Sequence, residues 1–205
     1  MPSPPDGAGT RPLVLASDLD GTLVAVNTFP RFVVFALWRL VGQGEVAAGV
    51  GLATALLRRK LGRMSHLRFK EVVHDAALLL PPASVSAWAQ RVLTRHAHLD
   101  VAALVRDWQG TTVLCTAAPQ PYAVAFGMLL DMDVVQGSTR TGGAFVENVS
   151  TEKAALLRAG LPAGVECAIT DDPLIDAPLL ALAHRPLVVD RSGRIGGVAR
   201  GETGA

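Results

Sequence analysis

Two aspartates separated by one residue, Asp18 and Asp20, close a short apolar run at Leu13–Ser17 and lead into Gly21-Thr22. Carboxylates this close repel each other unless a cation sits between them or one stays protonated, and either arrangement prepares them for different tasks. The Gly-Thr step permits a tight turn away from the run. A second group ends the apolar run Val113-Leu114-Cys115-Thr116-Ala117-Ala118, where the Thr116 hydroxyl and the backbone amides around Ala117 offer donors to phosphate oxygens. A third is Lys153, at the head of the helical pattern Glu152–Ala159. The fourth is the set Asp171, Asp172 and Asp176, which follows the apolar run Glu166–Thr170 and supplies hard oxygen ligands of the kind magnesium takes. Each group has a plainer alternative: a calcium-binding or surface turn at Asp18–Gly21, a helix cap at Thr116, a solvated helix face at Lys153, and acids attracted to a helix N-terminus at Asp172.

These groups act together only if the elements carrying them end at one edge of one sheet. Five apolar runs bounded by turn residues read as strands: Leu13–Ser17, Thr112–Thr116, Asp133–Gln136, Glu166–Thr170 and Leu187–Val189. Continuous apolar runs suit parallel strands covered on both faces. Helical patterns alternate with them at Pro121–Leu130, Glu152–Ala159 and Leu174–Ala183, the rhythm of a doubly wound α/β fold whose ligands gather at the carboxyl edge of the sheet. Nearly ninety residues separate the first two strands, far more than one crossover helix needs, and they read as an inserted helical subdomain. Ser65 caps one of its helices, which Pro81-Pro82 stops; Ser84 starts another, and Asp100–Trp108 forms a third, closed by Gly110. The expected organisation is a sheet core at 12–26 and 110–190, a helical cap at 27–109, and loose tails at 1–11 and 191–205.

The chain has 205 residues, half of them hydrophobic, with 19 basic against 18 acidic side chains, no block of like charge and no basic stripe. This excludes nucleic acid as the main ligand. Cys115 and Cys167 sit in buried-strand patterns at a spacing that fits neither a zinc site nor a redox pair, and they read as reduced core residues of a cytoplasmic protein. The Pro- and Gly-rich start lacks the apolar stretch of a secretory signal. Phe32–Leu57 is dominated by apolar and small residues, interrupted by Arg39, Gln43 and Glu45 and broken at Gly42 and Gly44. It reads as a pair of greasy helices, with a surface touching the inner membrane face as the alternative. His66, His74, His96, His98 and His184 show no ligand spacing and are taken as surface or helix-face residues. Trp38, Trp88 and Trp108 are expected to pack the insertion or to line a substrate pocket.

In this order, the four groups resemble the motifs of the haloacid dehalogenase superfamily of phosphatases over roughly Leu13 to Asp190. The large helical insertion resembles the type C1 cap of the phosphoserine-phosphatase-like subgroup, which includes relatives acting on lipid head groups. The resemblance implies a magnesium-dependent phosphomonoester hydrolase in which Asp18 is the nucleophile and passes through an aspartyl-phosphate, and Asp20 is the general acid and base. It implies further that Thr116 and Ala117 bind phosphate, that Lys153 steadies nucleophile and phosphoryl group, and that Asp18, Asp20 and Asp172 surround Mg2+ with Asp171 and Asp176 in support. The chemistry agrees, because phosphoryl transfer needs in-line positioning and neutralisation of spread negative charge. Two departures stand out. The fourth motif reads Asp171-Asp172-Pro173 where relatives have Gly-Asp-Ser, and Asn27 replaces an acid that would hold an amino-acid substrate. The substrate is therefore expected to be a small-molecule or lipid phosphate, with a phosphoserine-type phosphatase, a phosphotransferase and a catalytically silent binding module as alternatives.

Overall fold

A computed structural model describes residues 13–161 and 164–197. Its frame is a seven-stranded sheet of β1 (Val14–Ser17), β2 (Thr111–Pro119), β3 (Val134–Thr141), β4 (Ala144–Val146), β5 (Val165–Thr170), β6 (Ala183–Val189) and β7 (Ile195–Gly197), in the order β4-β3-β2-β1-β5-β6-β7. The five inner strands pair in parallel, and β4 and β7 close the edges antiparallel. Alternation along the strands divides the core in two. Leu15, Leu114, Cys167 and Ile169 face one layer, while Val14, Ala16, Val113, Cys115 and Ala168 face the other, which packs on Leu157, Leu179 and Leu180. With both faces covered, β1 and the middle of β2 are buried along their length, as their unbroken apolar runs require. This is the doubly wound architecture expected.

Between β1 and β2 run five helices: α1 (Thr28–Gly42), α2 (Val46–Lys60), α3 (His66–Leu78), α4 (Pro82–His96) and α5 (Leu99–Arg106). Asn27 caps α1 by accepting the Phe29 N–H, and Ser65 caps α3 through the Arg68 N–H. The fourth helix starts at Pro82 rather than Ser84, since Pro at the first helical position has no N–H to leave unsatisfied. Phe32, Phe35, Trp88, Tyr122 and Phe126 interlock at centroid distances of 4.3 to 6.4 Å. They weld α1 and α4 to α6 (Gln120–Leu129). One hydrophobic cluster therefore runs from the sheet into the insertion, which has no separate core.

After β3 come α7 (Thr151–Gly160) and the short α8 (Ala177–Leu180). The helical pattern at Leu174–Ala183 shrinks to four residues because Asp172 and Pro173 hold a turn before it and β6 begins at Ala183. Strands β4 and β7, three residues each, are too short to show a pattern. The second of these lies in the stretch assigned to a tail, where Asp190 accepts from the Ser192 and Arg194 N–H groups and folds 190–194 into a hairpin turn. Residues 1–11 and 198–205 of the expected tails fall outside the described residues. Of the histidines read as surface or helix-face residues, His74 does lie on a helix, α3, but with its side chain buried, and His98 is buried just ahead of α5. Trp88 packs as expected, but Trp38 is 76 % exposed.

Candidate active site

Strand order reverses at β1, because the chain builds outward through β2 and β3 and then returns to place β5 on the other side of β1. Such a switch point opens a crevice at the carboxyl ends of the strands. Asp18 leaves β1 there, its N–H held by the Ile169 carbonyl at 3.0 Å. Lys153, nearly fully buried at the start of α7, reaches across to place Nζ 3.0 Å from Asp18 Oδ1 and 2.8 Å from Asp176 Oδ2. The Thr170 hydroxyl donates to the same Asp176 oxygen at 2.8 Å and accepts the Asp172 N–H. The helix-face reading of Lys153 is thereby excluded, and Asp176 acts as the second anchor of the lysine. Burial works against charge on Lys153, but the two carboxylates outweigh it and hold its pKa above the ordinary lysine range. Burial raises Asp18 to about 7, with Asp176 and Asp20 adding to the rise and Lys153 opposing it.

Past Asp18 the chain turns sharply. Gly21 sits at φ +76°, and a β-carbon there would lie 1.9 Å from Asp171 Oδ2, so only glycine fits. Thr22, fully buried, donates from Oγ1 to Asp171 Oδ1 at 3.3 Å and accepts the Asp171 N–H at 2.9 Å. Its carbonyl accepts from His98 Nδ1 at 2.8 Å. The turn is thus clamped from β5 and from the end of α4. Asp20 points toward the insertion, where Oδ1 accepts the Thr28 N–H at 2.9 Å. Burial raises its pKa, with the Thr28 hydrogen bonds and the charge of Lys70 opposing the shift and Asp171 reinforcing it.

Thr116 and Ala117 occupy an irregular stretch of β2. Pairing with β3 slips between Cys115 and Pro119, so residues 116–118 bulge out of the ladder. The Thr116 hydroxyl accepts the Ala118 N–H at 3.1 Å. The Ala117 carbonyl accepts from Ser138 Oγ at 2.8 Å and from Lys70 Nζ at 2.9 Å. Lys70, on α3, is buried and ion-paired with Glu147, so a side chain of the insertion grips the bulge of the sheet. Reasoning from sequence passed over Lys70, although a lysine beside Phe69 and one turn before Val73 stands inside an apolar stripe. Thr170 and Ser138 were passed over, and Thr22 and His98 were read only as a turn residue and a surface or helix-face residue, because their roles depend on partners distant in the chain.

The predicted metal residues do not converge as side chains. Asp20 turns to Thr28, Asp172 Oδ1 accepts the Leu174 and Ile175 N–H groups, and among the described residues no three His, Cys, Asp or Glu side chains form a cage. The donor set still suits magnesium, which needs one or two carboxylates and completes its shell with water and phosphate oxygens. Burial, with smaller contributions from neighbouring carboxylates, raises the pKa values of Asp18, Asp20 and Asp171, and Asp176 Oδ1 is buried without a hydrogen-bond partner, so a cation at this edge would meet acids that the fold leaves short of solvation.

Among solved structures, the chain is similar to a protein of unknown function from Bordetella pertussis Tohama I, with TM-score 0.60, 17 % identity, and 85 % of this chain and 87 % of that one covered. It is also similar to CbbY from Rhodobacter sphaeroides in complex with phosphate, with TM-score 0.50, 15 % identity and coverage of 87 % and 86 %. A third similarity is to a probable phosphoserine phosphatase from Vibrio cholerae, with TM-score 0.50 and 16 % identity; it covers 87 % of this chain but 56 % of that one. At these identities the likeness is one of fold. No curated protein matches the chain. The family model of haloacid dehalogenase-like hydrolases matches residues 15–180, a span that takes in every site residue described above, and the chain belongs to that family of hydrolases.

Proposed function

We propose that the protein is a magnesium-dependent phosphatase that cleaves phosphate monoesters through an aspartyl-phosphate on Asp18. The observation that carries this reading is the buried Asp18–Lys153–Asp176 arrangement at the switch point of the sheet, with Thr116 on the neighbouring strand and Asp20 two residues on. An Asp18 oxygen attacks phosphorus while the bond to the leaving oxygen breaks, and Asp20 delivers a proton to that oxygen. Asp20 then takes a proton from the water that attacks the phosphorus of the acyl-phosphate, releasing phosphate and regenerating Asp18. The raised pKa of Asp20 suits a group that must be protonated for the first step. Thr116 and the amides of the bulge receive phosphoryl oxygens, and Lys153 offsets charge on Asp18 and on the transferred group. Magnesium, held by Asp18 and Asp172, would neutralise the phosphoryl oxygens and keep Asp18 ionised.

The fourth motif keeps its support despite Asp171-Asp172-Pro173. Thr170 and Thr22 provide hydroxyls to this loop, which favours an active enzyme over a silent relative. For the leaving group we favour an apolar portion such as a lipid. Asn27 is spent as a helix cap and offers no carboxylate to an ammonium group, while Phe29, next to the Thr28 that holds Asp20, stacks edge-on with Phe69. The test is turnover of an aryl phosphate by wild type and Asp18→Asn, with magnesium and with excess chelator. Loss of activity in the variant and in chelator is expected; an Asn variant keeping more than a few per cent, or full activity in chelator, would overturn the mechanism. Comparing lysophosphatidate of short and long chain with phosphoserine then decides the leaving group.

A further inference from the structure

We propose that the outer face of the α1–α2 hairpin, with the arginine-lined cavity beside it, docks on a bilayer that carries anionic lipid. The inference concerns where the protein works and stands independently of the chemistry assigned to Asp18. In α1 the buried side chains Phe32, Val33, Ala36 and Leu40 form one face. Along the opposite face Val34 and Val41 are more than half exposed and Trp38 is 76 % exposed. In α2 the buried stripe is Gly49, Leu52 and Ala55, and the reverse side carries Val46, Val50 and Leu57, continued by Leu61 just past the helix end. These four fall within one stripe at helical spacing and each is more than half exposed. The two helices pack on each other, and in each the exposed apolar residues lie opposite the buried stripe. Apolar side chains on both sides of a helix need a second apolar medium, and an exposed tryptophan suits the zone where hydrocarbon meets head groups.

Charge selects the medium. Residues 28–64 hold Arg31, Arg39, Arg58, Arg59, Lys60 and Arg63 against the single acid Glu45, a net +5 in a chain whose total is +1, which leaves −4 elsewhere. The near-neutral composition thus hides a strong polarity. Beneath the α2 ridge, between α2 and the start of α3, lies an open cavity of about 770 Å3 lined by Arg58, Arg63 and Arg68 with Thr54 and Ser65. Among the described residues Arg58 and Arg63 form no ion pair, while Arg68 is paired with Glu71. Guanidinium groups and hydroxyls around a space of this size match a lipid phosphate head group, and the neighbouring ridge at Leu57 and Leu61 would enter the acyl boundary. A second copy of the chain is a poor occupant, because a two-fold contact would set +5 against +5. Each helix is 15 residues, about 22 Å long, and no helix among the described residues is long and apolar enough to cross a membrane, so the hairpin would lie on the surface. Trp38 stands ten residues, about 15 Å, along α1 from the Thr28 that holds Asp20, which keeps the active site near the bilayer.

The experiment is co-sedimentation of the full chain with vesicles of phosphatidylcholine alone and with about 30 mol % phosphatidylglycerol. Binding to the anionic vesicles alone, weakened by salt, is expected. Trp38→Ser and the double variant Arg58→Gln/Arg63→Gln should each lower the partition coefficient at least about tenfold while aryl-phosphate turnover in vesicle-free solution stays at the wild-type level. Equal affinity for neutral vesicles, no binding at low salt, or binding untouched in both variants would overturn the proposal. So would a Trp38-dependent dimer in solution or capture of an acidic peptide in place of vesicles. Aryl-phosphate turnover is read separately, so failure of docking and failure of the phosphatase reading are distinguishable.

Discussion

Replacing Gly21 by Ala tests the arrangement of the nucleophile turn against the fourth motif. Two costs arise. Alanine at φ +76° is strained by about 1–2 kcal/mol. Its β-carbon would also stand 1.9 Å from Asp171 Oδ2 and 2.3 Å from Cγ, so the aspartate must swing away and give up the hydrogen bond from Thr22, about 1 kcal/mol more. The sum, about 2–3 kcal/mol, corresponds to a fall of roughly 5–10 °C in Tm for a chain of this size. The second cost belongs to a contact, so it must disappear with the partner: in an Asp171→Ala background the Gly21→Ala penalty should shrink to the strain alone. Thermal melts of the wild type, both single variants and the double variant give this coupling, expected at about 1 kcal/mol or more. An equal Gly21→Ala penalty in both backgrounds would refute the packing of Asp171 against the turn, and an unchanged Tm would refute the strained backbone.

Three further outcomes follow from the site. Lys153→Met should abolish turnover and destabilise the fold by about 3–5 kcal/mol at neutral pH, because two buried carboxylates lose their shared cation. Without the lysine, which opposes the rise at Asp18, the folded-state pKa of Asp18 climbs further above its unfolded value, so the penalty should grow as pH rises and shrink toward pH 4; a pH-independent penalty in melts would count against the triad. Asp172→Ala should raise the magnesium concentration for half-maximal activity much more than Asp171→Ala, whose side chain is committed to Gly21 and Thr22; the reverse ranking in a magnesium titration would move the ligand one residue upstream. Lys70→Met frees the Ala117 carbonyl and should lower kcat/KM about tenfold, with partial rescue by Lys70→Arg, whereas unchanged kinetics would reduce Lys70 to a packing residue.

The class of fold and the carriers of the chemistry were legible in the chain because they depend on local pattern. Apolar runs such as Val14–Ala16 and Cys167–Ile169 announce strands covered on both faces, and helical periods between them imply parallel crossovers. A two-residue step between Asp18 and Asp20, and a four-residue step between Asp172 and Asp176, are covalent facts that survive any packing. Short edge strands escaped notice because β4 and β7 contribute three residues each, too few for periodicity. What only the tertiary structure decided is which groups meet. Lys153 looks like any helix-face lysine until α7 is laid against β1 and β5, where burial beside Asp18 and Asp176 makes its charge indispensable. Lys70 reads as an intruder in an apolar stripe until the bulge of β2 presents a carbonyl to it, and His98 reads as a surface residue until the turn at Thr22 is seen to rest on it. Trp38 and Trp88 both belong to the inserted helical subdomain, yet Trp88 lies in the aromatic core and Trp38 faces outward, because burial is set by the neighbour across the fold. Hydrogen bonds, ion pairs and exposure are relations between residues distant in the chain, and the linear order carries them only implicitly.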